Sequence, residues 1–177
     1  MSGYLEIILG PMFSGKTTEL INTYYDFRDK NIGTTVVNFI DDQRYSTTML
    51  SSHDKKMIPC IQSRTLGELN ESDLKEVILI NEAQFFEDLF DFTLKYLNEN
   101  KSIYLFGLDG DFKRNKFGQL LDLIPYCDRV IKKTAMCKSC NSDAIFSHRI
   151  SEEKDQVVIG SLNYIPLCRR CYSIMIQ

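Results

Sequence analysis

Near the start of the chain, Gly10-Pro11-Met12-Phe13-Ser14-Gly15-Lys16-Thr17 sets two glycines around four intervening residues and follows the second with a lysine and a hydroxyl side chain. In that order the residues suit phosphate binding. The glycines let the backbone wrap closely around phosphate oxygens, Lys16 reaches the β and γ phosphates, and Thr17 can ligate Mg²⁺. The other reading is a glycine turn beside an ordinary surface lysine. An apolar run before the loop and a helical pattern after it favour the phosphate loop.

A second group of polar residues ends the apolar run Val77-Ile78-Leu79-Ile80, which is followed by Asn81 and Glu82. An aspartate at 81 would meet Mg²⁺ or its water as an anion, whereas Asn81 offers only a neutral carbonyl oxygen. Glu82 is then the one carboxylate at that strand end. A kinase acting on an alcohol benefits from a carboxylate that accepts the hydroxyl proton, and Glu82 is the candidate. From position alone, a solvent-exposed Glu at the start of the next helix fits as well. Arg44, in Asp41-Asp42-Gln43-Arg44-Tyr45, could bind phosphate through its planar fork or belong to a solvated loop.

Cys137-Lys138-Ser139-Cys140 and Cys168-Arg169-Arg170-Cys171 are two Cys-x-x-Cys pairs separated by 27 residues. Four thiolates suit a closed, tetrahedral, structural Zn²⁺ site with no open position for catalysis. Redox pairs or free thiols are the alternative, although a redox pair would normally sit between a strand and a helix of the main fold. Phe85, Phe86, Phe112, Phe117, Phe146 and Tyr164 recur near the expected ligand face, where each taken singly also suits a core. His53 and His148 lack partners at readable spacing and read as surface or loop residues.

Alternating elements must position these groups. Residues 4–9 read as a buried strand, the loop at 10–17 leads into a helix to about Lys30, and 34–40 and 77–80 read as further strands. An amphipathic helix over 87–98 and a strand at 103–106 follow. The alternation predicts an α/β fold with a mostly parallel sheet, carrying ligands at the carboxyl ends of its strands. Beyond about Thr134 the alternation gives way to a cysteine-rich stretch, so the expected units are 1–133, which binds nucleotide, and 134–177, which binds zinc. With no repeat, low-complexity tract or linker between them, the second should pack on the first.

Composition narrows the function classes. At 177 residues with 44% hydrophobic content the chain can build a real core. A net charge of −3 with no long basic run argues against a nucleic-acid partner. No signal segment or membrane-length apolar run is evident, which predicts a cytoplasmic protein with no membrane partner.

Residues 10–20, Asp42-Gln43-Arg44-Tyr45, Glu82-Ala83-Gln84-Phe85-Phe86 and the paired cysteines together resemble the type II thymidine kinase family over nearly the whole chain. The stretches Leu108-Asp109-Gly110-Asp111-Phe112-Lys113-Arg114 and Cys168-Arg169-Arg170-Cys171-Tyr172 are most similar to its poxvirus members. The resemblance implies a P-loop, RecA-like sheet and transfer of the ATP γ-phosphate to the 5′-hydroxyl of thymidine with Mg²⁺. Glu82 would act as base, with Lys16 and Arg44 on phosphates, and Asp42, Gln43, Asn81 and Gln84 on the nucleotide side. A pyrimidine pocket of Met12, Phe85, Leu108, Phe112, Phe117 and Tyr164 is implied as well. Gln156-Val157-Val158-Ile159-Gly160 matches the family's lid, whose backbone bonds the base, so the zinc unit would anchor a lid. A homotetramer and feedback by dTTP follow by the same analogy.

Three stretches depart from the family pattern. Asn81 replaces the usual aspartate, residues 159–164 are one residue shorter and lack an acidic residue, and Ser52-His53-Asp54 keeps only part of a family-like stretch. Loss of the aspartate leaves a second reading, a nucleotide-binding regulatory protein of the same fold with reduced turnover. A zinc-bearing NTPase acting on nucleic acid is a third, which the acidic balance opposes.

Overall fold

β-branched and aliphatic runs alternate with helices through the first three quarters of the chain, and each run is short enough to cross one sheet. The structure is a computed structural model that describes residues 2–41, 48–52, 55–153, 155–158, 160 and 163–175. In chain order the elements are β1 (Tyr4–Leu9), α1 (Lys16–Asp29), β2 (Thr34–Phe39), β3 (Met49–Ser51), β4 (Met57–Pro59), β5 (Ile61–Ser63) and β6 (Val77–Ile80). There follow α2 (Leu89–Asn98), β7 (Ser102–Gly107), β8 (Arg129–Lys132), β9 (Ala135–Met136), β10 (Asp143–Ala144), β11 (Phe146–Arg149), β12 (Tyr164–Leu167) and α3 (Arg169–Met175).

Six strands form one sheet in the order β5-β2-β6-β7-β1-β8, every pair parallel. Central strand β6 is buried along its whole length, as expected where helices cover both faces of a parallel sheet. Alternation along each strand divides the core. Ile7, Ile78, Ile80 and Leu105 face Phe86, Leu89 and Phe92 on one side, while Ile8, Leu79 and Phe106 pack with Leu20 and Ile21 of α1 on the other.

Register aligns the carboxyl ends. Leu9 pairs with Gly107, Leu105 with Ile80, and Ile80 with Val37. Gly10, Asn81 and Leu108, each just past its strand, therefore emerge along one edge. The phosphate loop and Glu82 are brought together by sheet register.

The edge strands β5 and β8 and the β3–β4 hairpin add to the elements read from sequence. Helix α2 begins at Leu89, slightly inside the expected start. The Asp88 carboxylate turns away to accept the backbone N–H groups of Leu66 at 3.1 Å and Gly67 at 2.7 Å, so it ties a neighbouring turn to the helix.

After β8 the sheet ends and short antiparallel pairs follow, β9 with β10 and β11 with β12. They share a small core of Ala135, Cys137, Ala144, Leu167 and Tyr172, the last from α3. No helix among the described residues is long and apolar enough to cross a membrane.

Candidate active site

The turn between β1 and α1 is shaped by backbone that enters the left-handed region at Phe13 (φ 65°) and Gly15 (φ 78°). Gly15 stands directly before the first residue of α1 and has no Cβ to oppose that conformation. The 14-residue helix begins at Lys16, so its positive dipole end faces the loop. Lys16 is 9% exposed, and its ammonium donates to the carbonyls of Gly10 at 3.1 Å and Pro11 at 2.8 Å. The Ser14 hydroxyl is buried with no hydrogen-bond partner among the described residues. A buried hydroxyl left in that state beside a lysine and a helix start fits an anion that would complete its bonding. From the C-terminal region, the Ser147 hydroxyl accepts the Met12 N–H at 2.9 Å and braces the loop from outside.

At the end of β6, Glu82 adopts φ 52° and ψ 42°, a conformation that costs a non-glycine residue about 1–2 kcal/mol. Its carboxylate accepts a hydrogen bond from Gln84 Nε2 at 2.7 Å. The other end of the Gln84 amide accepts the Leu108 N–H at 2.9 Å. Gln84 is buried behind Glu82, and its amide is occupied by protein groups. Asn81 is also buried, and its amide donates to Asn38 Oδ1 at 2.7 Å. Asn38 in turn donates to Gln62 at 3.1 Å. A neutral amide chain thus crosses the strand ends beneath Glu82.

Phosphate loop and carboxylate open into one cleft. Met12, Phe13, Ser14, Gly15, Lys16 and Thr17 form its floor, with Glu82 beside them. Its wall includes Phe85, Leu108, Phe112 and Phe117, and Gln156, Val157, Val158, Gly160 and Tyr164 close the far side. Phe85 stacks on Phe39 at 5.0 Å between centroids and meets Phe117 edge-on at 5.4 Å. Gln156 Nε2 donates to Asp111 Oδ2 at 2.9 Å, tying the far side to the wall. Pro11 faces a neighbouring cleft, and Gly10 packs against the Lys133 carbonyl. Asp42, Gln43, Arg44 and Ile159 lie outside the described residues, as does His53. His148 sits within β11, half-buried, with its ring edge-on to Tyr172 at 5.5 Å.

Several residues at this site escaped sequence reasoning. Phe39, at the end of β2, could have been found from the rule that ligands sit at strand carboxyl ends. Ser147, Asp111 and Arg149 carry no motif of their own, because their roles depend on Met12, Gln156 and Phe112, which only the fold brings beside them.

The four paired cysteines meet at one point, with their sulfurs all within 4.8 Å of one another and Cys140 Sγ 3.6 Å from Cys168 Sγ. Sulfurs placed about 2.3 Å from a tetrahedral zinc lie roughly 3.8 Å apart, so the donor set and its compactness fit Zn²⁺. Hydrogen bonds from Ser142 draw the Cys140 thiol down to about 6, while hydrogen bonds to Cys140 and Cys168 push Cys171 up to about 12, so without a metal the crowded sulfurs share protons. Tyr172, beside Cys171, donates its hydroxyl to the Phe112 carbonyl at 2.6 Å. That bond joins the cysteine cluster to the wall of the cleft.

A family model described as thymidine kinase matches residues 3–172 of the chain. The thymidine kinase of Yaba monkey tumor virus is 40% identical over 173 residues, covering 97% of this chain and 95% of that protein. The vaccinia virus (strain Western Reserve) thymidine kinase is 38% identical over 172 residues, covering 96% and 97%. A cytosolic thymidine kinase of Gallus gallus is 35% identical over 172 residues, covering 96% of this chain and 77% of its own length.

Proposed function

The chain belongs to the thymidine kinase family, and from that premise we propose that it transfers the γ-phosphoryl group of ATP to the 5′-hydroxyl of thymidine, giving dTMP and ADP. The observation that carries the reading is that the phosphate loop, the Glu82 carboxylate and an aromatic wall line a single cleft. That arrangement suits a phosphate donor on one side, a flat apolar base on the other, and a proton acceptor between them.

In this reading Glu82 accepts the 5′-hydroxyl proton as the oxygen attacks the γ-phosphorus. Lys16 leaves the carbonyls of Gly10 and Pro11 for the β and γ phosphates, and Arg44 adds a planar fork, with Asp42 and Gln43 beside it. Thr17 supplies a hard oxygen donor for Mg²⁺, which would neutralise phosphate charge when bound. Asn81, its amide nitrogen engaged by Asn38, leaves Glu82 as the anionic group at this strand end. Met12, Phe85, Leu108, Phe112, Phe117 and Tyr164 hold the pyrimidine, and residues 156–160 close over it.

The same reading makes residues 134–177 a zinc-stabilised, lid-bearing unit on a nucleotide-binding domain of residues 1–133. It also makes dTTP a feedback ligand, the assembly a homotetramer, and the cytoplasm the site of action. The test is transfer of label from γ-32P-labelled ATP to thymidine, run beside Lys16→Ala and Glu82→Gln. Label should appear in dTMP with the parent protein and be nearly lost with either variant. Release of the label as inorganic phosphate without dTMP would overturn the proposal.

A further inference from the structure

Arg149, the last residue of β11, is 5% exposed, and among the described residues no acidic side chain pairs with it. Its guanidinium is held by oxygens of the segment that follows. Nη1 donates to the Glu153 carbonyl at 2.9 Å and to the Asp155 carbonyl, and Nη2 donates to the Gln156 carbonyl at 3.0 Å. Nε and Nη2 both reach the Tyr164 hydroxyl, at 3.2 and 2.5 Å. That hydroxyl donates onward to the Val158 carbonyl at 3.1 Å. The face of the guanidinium lies over Phe112, 3.8 Å from the ring centroid.

A cation removed from water with no carboxylate in direct contact persists where oxygen dipoles replace its hydration. Here the carbonyls of residues 153, 155 and 156 perform that role, so the path of this segment and the burial of Arg149 depend on each other. The segment and Phe112 are also two walls of the cleft, whereas Arg149 itself does not line it. A flat fork with five N–H donors can hold carbonyls around its rim and stack on a ring at once, and a lysine ammonium cannot.

We propose that Arg149 is the positioning residue of the nucleoside site. It holds Glu153, Asp155 and Gln156, and through Tyr164 also Val158, beside Phe112, so that thymidine meets a preformed wall, and it touches neither substrate. The inference rests on the thymidine kinase reading.

Steady-state kinetics of Arg149→Lys and Arg149→Ala, each with both substrates varied, tests it. Loss of the planar fork should raise the thymidine KM roughly tenfold or more while the ATP KM stays within about twofold, because the phosphate loop is braced separately by Ser147. Millimolar methylguanidinium should lower the thymidine KM of Arg149→Ala again by refilling the vacated site. An unchanged thymidine KM in folded Arg149→Lys, a parallel rise in both KM values, or failure of both variants to fold would each overturn the inference. An inactive parent protein would instead remove the thymidine kinase reading beneath it.

Discussion

Gln84 fastens Glu82 to the neighbouring strand: its Nε2 donates to the Glu82 carboxylate at 2.7 Å while its Oε1 accepts the Leu108 N–H at 2.9 Å. The amide is buried and can satisfy both partners in one orientation only, so the carboxylate inherits the rigidity of β7. Gln84→Leu keeps the volume and removes both bonds. It should lower kcat about tenfold, with less effect on the ATP KM, as the Glu82 carboxylate proposed as base loses its fixed direction. The unpaired Leu108 N–H should also cost about 1–3 kcal/mol of stability. Kinetics and denaturant titration of the same preparation check the two effects, and wild-type kcat would show that the tether is irrelevant to turnover.

Glu82 holds its side chain in place at the expense of a left-handed backbone, φ 52°. Glu82→Gly should relieve that strain and raise stability by about 1 kcal/mol, while turnover falls on the order of 100-fold or more. Glu82→Gln should lose similar activity with little change in melting temperature, since its backbone preference is unaltered. Melting curves set beside turnover separate the two variants. A Gly variant less stable than the Gln variant would show that the conformation carries no strain.

How much of this could be read from sequence follows from how local each signal is. The phosphate loop and the cysteine pairs are short patterns whose residues act together, and the aliphatic run at 77–80 announces a buried strand. Strand β8, Arg-Val-Ile-Lys, places two cations in four residues and resembles a solvated loop, because at this sheet edge only Ile131 packs on the core. Resemblance puts Gln84 on the nucleotide side, while the bonds that its amide makes to Glu82 and Leu108 are legible only in the fold. The Arg149 bonds to Glu153, Asp155 and Gln156 bridge only a few residues, but their meaning depends on Phe112, 37 positions earlier in the chain. No spacing rule reports such a contact.

The cysteine cluster supports the cleft through two bonds from the same region, Ser147 to the Met12 N–H and the Tyr172 hydroxyl to the Phe112 carbonyl. Metal analysis of the purified protein should find one zinc per chain. Its removal by a strong chelator should lower the melting temperature and weaken nucleoside binding, because Tyr172 packs directly on the cluster core. Cys140→Ser should reduce zinc content and reproduce the loss. A zinc-free protein with unaltered melting temperature and thymidine binding would show that the cluster does not support the site.

His148 lies between Ser147, which accepts the Met12 N–H, and Arg149, which holds Glu153, Asp155 and Gln156, and burial depresses its pKa below the ordinary 6.5. Unfolding restores the ordinary value, so between the two the unfolded chain binds more protons than the folded one. The His148 contribution is therefore fully present above about pH 6.5 and is lost as pH falls through the folded value, below which both states are protonated. His148→Phe preserves an aromatic edge against Tyr172 and removes the titration. Melting temperatures from about pH 7.5 to about pH 5.5, a window above most carboxylate titration, should decline less steeply in the variant than in the parent. Parallel declines would assign the acid sensitivity to other groups and leave His148 as packing alone.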